Sequence, residues 1–456
     1  MKFNFRLKSA TAYLFVYFFI LAALGTLLLR FPIFYNSGKV VPFIDSLFTT
    51  VSAICVTGLS TVDMSVYTDA GFFVIMLLIE AGGLGLVSFF TIYLMFASKK
   101  ISLLNRNIIK DYFTEDSQIE VRQIIKLIVC LTFGFQLIGG TVLAIFLKAH
   151  GEENFIFYGL FLAVSAFCNA GFAPYSDSLA QFAHSPEIYL VITFLIIAGG
   201  LGFTVITNIF FVLRKPNPTK QIKKSVLTLH SKIVIFMTFS LIFSGTLIFF
   251  IAERKGAFSE MGFFESLGNA FFQSVTLRTA GFEIVSQSAF SPVSVFVSNL
   301  FMLIGGSPGS MAGGIKTTTI FLILCIAYKS THDKSLPSVF HRDISEDSIG
   351  KAVSVFVKAL CFLGILYIFL LWSESKSISM GIFTETDLLF EVCSALGTVG
   401  LSRGLTPNLS IVGKILVIVL MFAGRTGITF IALNKVSRGP DINALTDYPK
   451  ETVILG

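Results

Sequence analysis

Charge is what this sequence has least of. Asp, Glu, Lys and Arg make up 13% of its 456 residues, against about 25% in soluble domains, while 54% are hydrophobic and the mean hydropathy is +0.82. So little polar surface cannot clothe a water-soluble fold, which excludes a soluble or secreted enzyme and a disordered chain. The six cysteines, Cys55, Cys130, Cys168, Cys325, Cys361 and Cys393, stand singly, without a CxxC pair or zinc spacing. Neither a disulfide framework nor a metal cofactor is implied. There is no nucleophile–base pair, no Walker glycine loop and no pair of carboxylates on a credible catalytic face, which argues against an enzyme. The net charge of +7 lacks a basic run interleaved with aromatics, so no nucleic-acid partner is expected. The cations gather between apolar segments, where they act as topology signals.

Long apolar runs are what the chain has instead. They lie at about 10–29, 70–97, 124–147, 188–213, 233–251, 293–328, 352–372 and 411–433, each long enough for a hydrocarbon core of roughly 30 Å. The first follows Lys2, Arg6 and Lys8 but has no small-residue cleavage site before Arg30, so it reads as a retained span, not a signal peptide. Four shorter amphipathic pieces, 43–54, 155–167, 263–275 and 384–396, are too short to cross and end in small residues and glycine, as re-entrant half-helices do. Lys and Arg concentrate at the N-terminus, in 98–123, 214–232 and 329–351, and in the C-terminal tail. Both termini are therefore expected in the cytoplasm, with the half-helices dipping in from outside.

The chain resolves into four copies of one unit: outer span, half-helix, glycine turn, inner span. The predicted class is an all-α polytopic membrane protein with eight spans and repeats at 1–112, 113–225, 226–345 and 346–456, the last including the tail. The turns align as Cys55-Val56-Thr57-Gly58, Cys168-Asn169-Ala170-Gly171, Arg278-Thr279-Ala280-Gly281 and Gly397-Thr398-Val399-Gly400. A second motif follows in phase within each inner span: AGGLG at 81–85 and 198–202, GGSPG at 305–309 and AGRTG at 423–427. Two motifs recurring together four times outweigh the bland reading of an isolated helix glycine as a packing contact.

Irregular backbone at membrane depth is tolerated only where protein buries it or where it lines a watery cavity, so four such turns are most economically placed around one axis. There, successive carbonyls can replace the hydration shell of a monovalent cation, with glycine supplying backbone angles closed to other residues. Each half-helix would aim its negative C-terminal dipole at the axis. The lack of acidic side chains in the turns favours a monovalent ion over calcium.

These four turns, with one glycine each, resemble the filter of the Trk/Ktr/HKT superfamily of potassium transporters, over essentially the whole chain. Within it the sequence is most similar to the bacterial membrane subunit KtrB, since it begins directly with the first repeat and ends in a short tail. The resemblance implies a potassium-selective, channel-like uptake subunit of the bacterial inner membrane, with potassium held by backbone carbonyls near Gly58, Gly171, Gly281 and Gly400. In some plant relatives a serine at the first position marks sodium transport, whereas Gly58 stands here. It also implies a homodimer, a cytosolic KtrA-like ring of nucleotide-binding RCK (KTN) domains as partner, no bound cofactor beyond the transported potassium, and sodium as a candidate activator.

The third inner run, 291–328, would be nearly 60 Å long as one helix at about 1.5 Å per residue, so it must break. The break is legible in Gly305-Gly306-Ser307-Pro308-Gly309-Ser310-Met311-Ala312-Gly313-Gly314-Ile315-Lys316. By resemblance this stretch is an intramembrane gating loop; a hinge packed among helices is the alternative. Arg425, inside the fourth inner span, is a functional candidate because a lone cation there is expensive. It matches the family's basic residue in that helix. Arg278 reads as bracing its turn, since a guanidinium on the axis would repel a cation. Glu80 reads as a structural carboxylate, and Asn169 as either a filter contact or a helix cap. Two further function classes stay open: a sodium or mixed-cation transporter of the same superfamily, and an alternating-access carrier built from parallel repeats.

Overall fold

The computed structural model describes residues 10–36, 41–96, 121–214, 227–329 and 337–426. Many of the cations that suggested the orientation, among them Lys99, Lys100, Arg106, Lys110, Lys220, Lys223, Lys224 and Lys334, lie outside the described residues, as do the boundaries at 112/113 and 225/226 and the end of the last run beyond Thr426. The boundary at 345/346 falls where Ser345 caps a helix, its side chain accepting from the Ser348 N–H.

Helices occupy all eight apolar runs: α1 Ala10–Leu28, α3 Asp69–Phe96, α4 Val121–Ala149, α6 Pro186–Leu201 with α7 Phe203–Arg214, α8 Leu229–Glu253, α10 Pro292–Leu303 with α11 Thr317–Tyr328, α12 Glu346–Ser373 and α15 Ile411–Thr426. Among the described residues, three helices are long and apolar enough to cross a membrane, in α4, α8 and α12. A fourth joins them if α6 and α7, bent by 97°, count as one. Glycine interrupts other runs. α3 kinks at Gly85 (φ 17°, ψ −90°), and 304–316 separates α10 from α11. The sequence predicts a break only in the third inner run; the bend at Gly202 (φ 87°) is a further one.

The short amphipathic pieces form α2 Phe43–Ile54, α5 Phe155–Phe167, α9 Phe263–Thr276 and α14 Glu385–Gly397, within one residue of expectation. Their starts are set locally. Pro42 precedes α2, and at α14 the Thr384 side chain accepts from the Asp387 N–H while Asp387 accepts from that of Thr384, a reciprocal cap worth about 1 kcal/mol. A small helix, α13 Ser375–Ser379, and a hairpin, β1 Ser338–Val339 with β2 Arg342–Asp343, complete the described α-helices and strands.

Packing closes these elements into a ring. α3 packs on α5, α6 on α9, α10 on α14 and α15 back on α2, so each inner helix meets the short helix of the following section and the last meets the first. The polarity is that of a protein in lipid: Phe239, Phe243, Ile138, Ile368 and Trp372 are exposed, while the Ser- and Thr-bearing ends of the short helices are buried. Carboxylates tie outer to inner helices. Glu253, ending α8, accepts from the Ser291 N–H (3.0 Å) and Oγ–H (2.6 Å) at the start of α10, and Glu374 does the same for Ser410 before α15.

Candidate ion pathway

Each short helix ends in the same backbone figure. The residue two before the glycine takes a left-handed conformation although it has a side chain: Val56 (φ 56°), Asn169 (59°), Thr279 (66°) and Thr398 (51°). The glycine itself follows at φ 98°, 71°, 78° and 99° for Gly58, Gly171, Gly281 and Gly400. Left-handed non-glycine residues each cost roughly 1–2 kcal/mol, so four in register mark a shape that the surroundings enforce. The preceding helix supplies the restraint. The N–H groups of Thr57, Ala170 and Val399 return to the Ser52, Ser165 and Ser394 carbonyls at 2.7–2.8 Å, and that of Gly281 to Thr276 at 3.3 Å. The Ser52 and Ser394 hydroxyls accept from Gly58 and Gly400, both at 3.1 Å.

The four turns touch one another in a closed cycle. A Cβ placed on Gly58 would lie 2.5 Å from the Ala170 carbonyl oxygen, and one on Gly171 2.7 Å from that of Ala280; one on Gly281 would strike the Val399 carbonyl and one on Gly400 the Thr57 carbonyl. Every glycine thus abuts the carbonyl before the next glycine, with no room for a side chain. Cys55, Cys168, Arg278 and Gly397 occupy the first slot of each turn, all buried.

Three polar side chains at or beside the ring are tied to neighbouring elements. Arg278 reaches outward, its Nη2 3.4 Å from the Thr238 hydroxyl on α8. Asn169 contacts the Thr279 hydroxyl at 3.3 Å in either amide orientation, linking the second and third turns. Glu80 accepts from Gln136 Nε2 at 2.9 Å and Cys168 Sγ at 3.3 Å.

The 305–316 loop is stitched into the helix breaks. Its ends are drawn together by Gly305 N–H to Ile315 O (2.9 Å) and Thr317 N–H to Gly306 O (3.1 Å). Its body docks on the broken α6–α7 junction: Ser307 N–H donates to Gly200 O (3.1 Å), Met311 N–H to Gly199 O (3.2 Å), and Phe203 N–H to Gly309 O (3.0 Å). Gly309 and Gly314 have φ of 69° and 66°. Ser310 Oγ donates to Ser307 O at 2.6 Å, and Lys316 Nζ to Ala312 O at 2.7 Å. Arg425 bonds the Met311 carbonyl through Nη1 and those of Gly82 (2.6 Å) and Gly83 (2.7 Å) through Nη2, so one guanidinium joins the loop, α15 and the kinked part of α3. Its fork satisfies carbonyls that a broken helix leaves unpaired.

Beyond the ring, a cavity of about 660 Å³ is lined by all four glycines together with Asp63, Asp177, Glu283 and Arg403. Arg403 is paired with Asp387 at 3.0 Å. Glu283 accepts from the Gln287 N–H at 2.7 Å, but burial, with Asp177 adding to it, pushes its carboxyl up to about 7. The sequence reading missed Glu283, Glu253, Glu374 and the Gly202 bend. Only the last had a signal, the AGGLG pentapeptide shared by 81–85 and 198–202.

A ring of turns held by short helices, inside a bundle with apolar outer faces, suits a protein that passes a cation through a membrane. The chain belongs to the TrkH cation transport protein family, which it matches over residues 1–441. It is 37% identical to the potassium/sodium uptake protein NtpJ of Enterococcus hirae, over 96% of this chain and 95% of that one. It is 36% identical to the Ktr system potassium uptake protein B of Bacillus subtilis, over 91% and 90% of the two chains. The fold is similar to the crystal structure of the potassium transporter TrkH from Vibrio parahaemolyticus, with a TM-score of 0.72 at 16% identity over 95% of this chain and 86% of that one. The superfamily resemblance read from the glycine motifs therefore holds.

Proposed function

We propose that this chain is the potassium-translocating membrane subunit of a Ktr-type uptake system. Potassium passes through backbone carbonyls around Gly58, Gly171, Gly281 and Gly400, and the 305–316 loop with Lys316 and Arg425 gates the path. The observation that carries this reading is the closed cycle in which each glycine abuts the carbonyl preceding the next. Relatives named as Ktr system potassium uptake proteins, from Bacillus subtilis and, at 33% identity, Vibrio alginolyticus, support the substrate. The same names support a partner subunit, here a KtrA-like ring of RCK (KTN) domains that binds nucleotide beneath a homodimer. Eight crossings in four repeats, with both termini cytoplasmic in a bacterial inner membrane, complete the reading. The name of the Enterococcus relative favours a second one, mixed potassium and sodium uptake.

The deciding experiment is flux of rubidium against sodium in proteoliposomes. The wild type should prefer rubidium. Gly58→Ser should lower that preference, because φ of 98° and the Ala170 oxygen 2.5 Å from the new Cβ force the turn to move. An unchanged ratio in the variant would remove Gly58 from the filter.

A further inference from the structure

The loop beneath the ring and the ring itself share a contact that couples them. Thr398, the left-handed residue of the fourth turn, is fully buried, and its hydroxyl has no hydrogen-bond partner. Its side chain lies directly over Gly313 of the loop: a Cβ at 313 would strike Thr398 Oγ1 and come within 2.9 Å of its Cγ2. Gly424 of α15 meets the same methyl, where a Cβ would lie 2.9 Å from Thr398 Cγ2. The next loop residue, Gly314, faces the Gly397 carbonyl, 3.2 Å from a would-be Cβ. Gly424 adjoins Arg425, which returns to the loop at the Met311 carbonyl. Loop, fourth turn and α15 therefore form a closed circuit of contacts: Gly313, Thr398, Gly424, Arg425, Met311.

We propose that the loop sets ion discrimination as well as access, with Gly313 seated against Thr398 so that the loop, together with the preceding helix, holds the fourth turn in its left-handed shape. This rests on the reading of the four turns as the filter. Two features of the contact carry it. An unpartnered hydroxyl gives Thr398 no hydrogen bond of its own to hold its rotamer, so packing against Gly313 and Gly424 must do so. Close-packed surroundings pass small displacements on instead of absorbing them, so a shift of the loop is felt two residues from Gly400, in a ring where each glycine abuts a carbonyl of the next turn. A loop that only occludes the path would change how fast ions pass. A loop that braces the filter changes which ions pass.

The test compares the rubidium-to-sodium flux ratio in proteoliposomes for wild type, Gly313→Ala, and Gly313→Ala combined with Thr398→Ala, at matched incorporation. Overpacking Thr398 should lower the ratio by roughly fivefold, about 1 kcal/mol, and removing the struck side chain in the double variant should restore at least half of that loss. A Gly313→Ala protein that changes the rate of both ions equally, at the wild-type ratio, overturns the proposal. If Gly313→Ala does not incorporate, Thr398→Ala alone opens the same contact and must also lower the ratio; a wild-type ratio there overturns the proposal equally. Gly58→Ser runs alongside. An unchanged ratio in Gly58→Ser counts against the filter reading itself, whereas a lowered one beside an unchanged Gly313→Ala counts against the coupling alone.

Discussion

Arg425 shows how a single residue is licensed inside a membrane. An isolated guanidinium there costs several kcal/mol, and three carbonyls offset that cost, two from α3 and one from the loop. Hydrogen bonds to a charged donor contribute about 1.5–3 kcal/mol each, so this one side chain biases the loop strongly toward its docked position. Arg425→Ala should raise basal rubidium uptake by about tenfold for each 1.4 kcal/mol of docking lost, and Arg425→Lys should lie between, keeping the charge without the fork. An alanine variant no faster than wild type would make Arg425 a structural anchor. Glu283 gives a second prediction at this scale. With its carboxyl near 7, it is ionised above that pH, where it adds negative charge to the cavity beyond the glycines, and neutral below it. Asp177 and Arg403 share that cavity, while the Ser178 hydroxyl meets the Glu283 N–H. Uptake at low potassium should therefore fall as pH on the cavity side drops through about 7, and Glu283→Gln should be slow and flat across that range; a variant that keeps the wild-type pH profile would discharge Glu283 from the role. Arg425 was legible in the sequence because a lone arginine in an apolar run has few explanations. Glu283 was not, because its significance comes from the walls around it.

At the scale of elements, the four short helices were legible almost to the residue, since each combines a length too short to span with a glycine turn at its end. The broken third inner run was legible for a different reason: five glycines and a proline within 305–314 cannot continue a helix. The 97° bend at Gly202 was not foreseen, although 198–202 repeats the pentapeptide of 81–85, because a small-residue motif in an apolar run has packing as its default explanation. What turns the motif into a bend is tertiary. Gly200 and Gly199 give their carbonyls to Ser307 and Met311, and Phe203 gives its N–H to Gly309, so the broken helix and the loop satisfy one another's backbone. Removing 309–314 should release the path while keeping all four turn glycines in the chain, at a lowered rubidium-to-sodium ratio because Gly313 is lost from beside Thr398. Uptake should rise and depend less on the proposed partner subunit. Loss of uptake in a folded, membrane-inserted deletion would instead favour a hinge that the bundle needs.

At the scale of the molecule, a ring assembled from one chain has a seam where its last section meets its first, and that seam can draw on no short loop to hold it. The first and last sections are joined by α15 against α2, and there Lys414 donates to Asp45 at 2.6 Å, with the two side chains only 12% and 11% exposed. Other seams carry polar contacts as well: Asn154 donates to Asp69 at 3.0 Å between the first two sections, and His184 meets Glu265 between the second and third. The closing pair is the more deeply placed, and its partners are 369 residues apart in sequence, so no reading of local pattern could have paired them. Removing one partner of a buried ion pair strands the other, at a cost of about 3–5 kcal/mol, whereas removing both charges is far less damaging. Lys414→Met should therefore lower the thermal midpoint of the detergent-solubilised protein clearly, and Asp45→Asn combined with Lys414→Met should recover at least half of that loss. Because the cycle of glycine and carbonyl contacts runs through the same seam, from Gly400 to Thr57, the single variant should also lower the rubidium-to-sodium ratio while the double variant stays nearer wild type. A single variant with an unchanged midpoint and ratio would mean that helix packing alone closes the ring and that the ion pair is incidental to it.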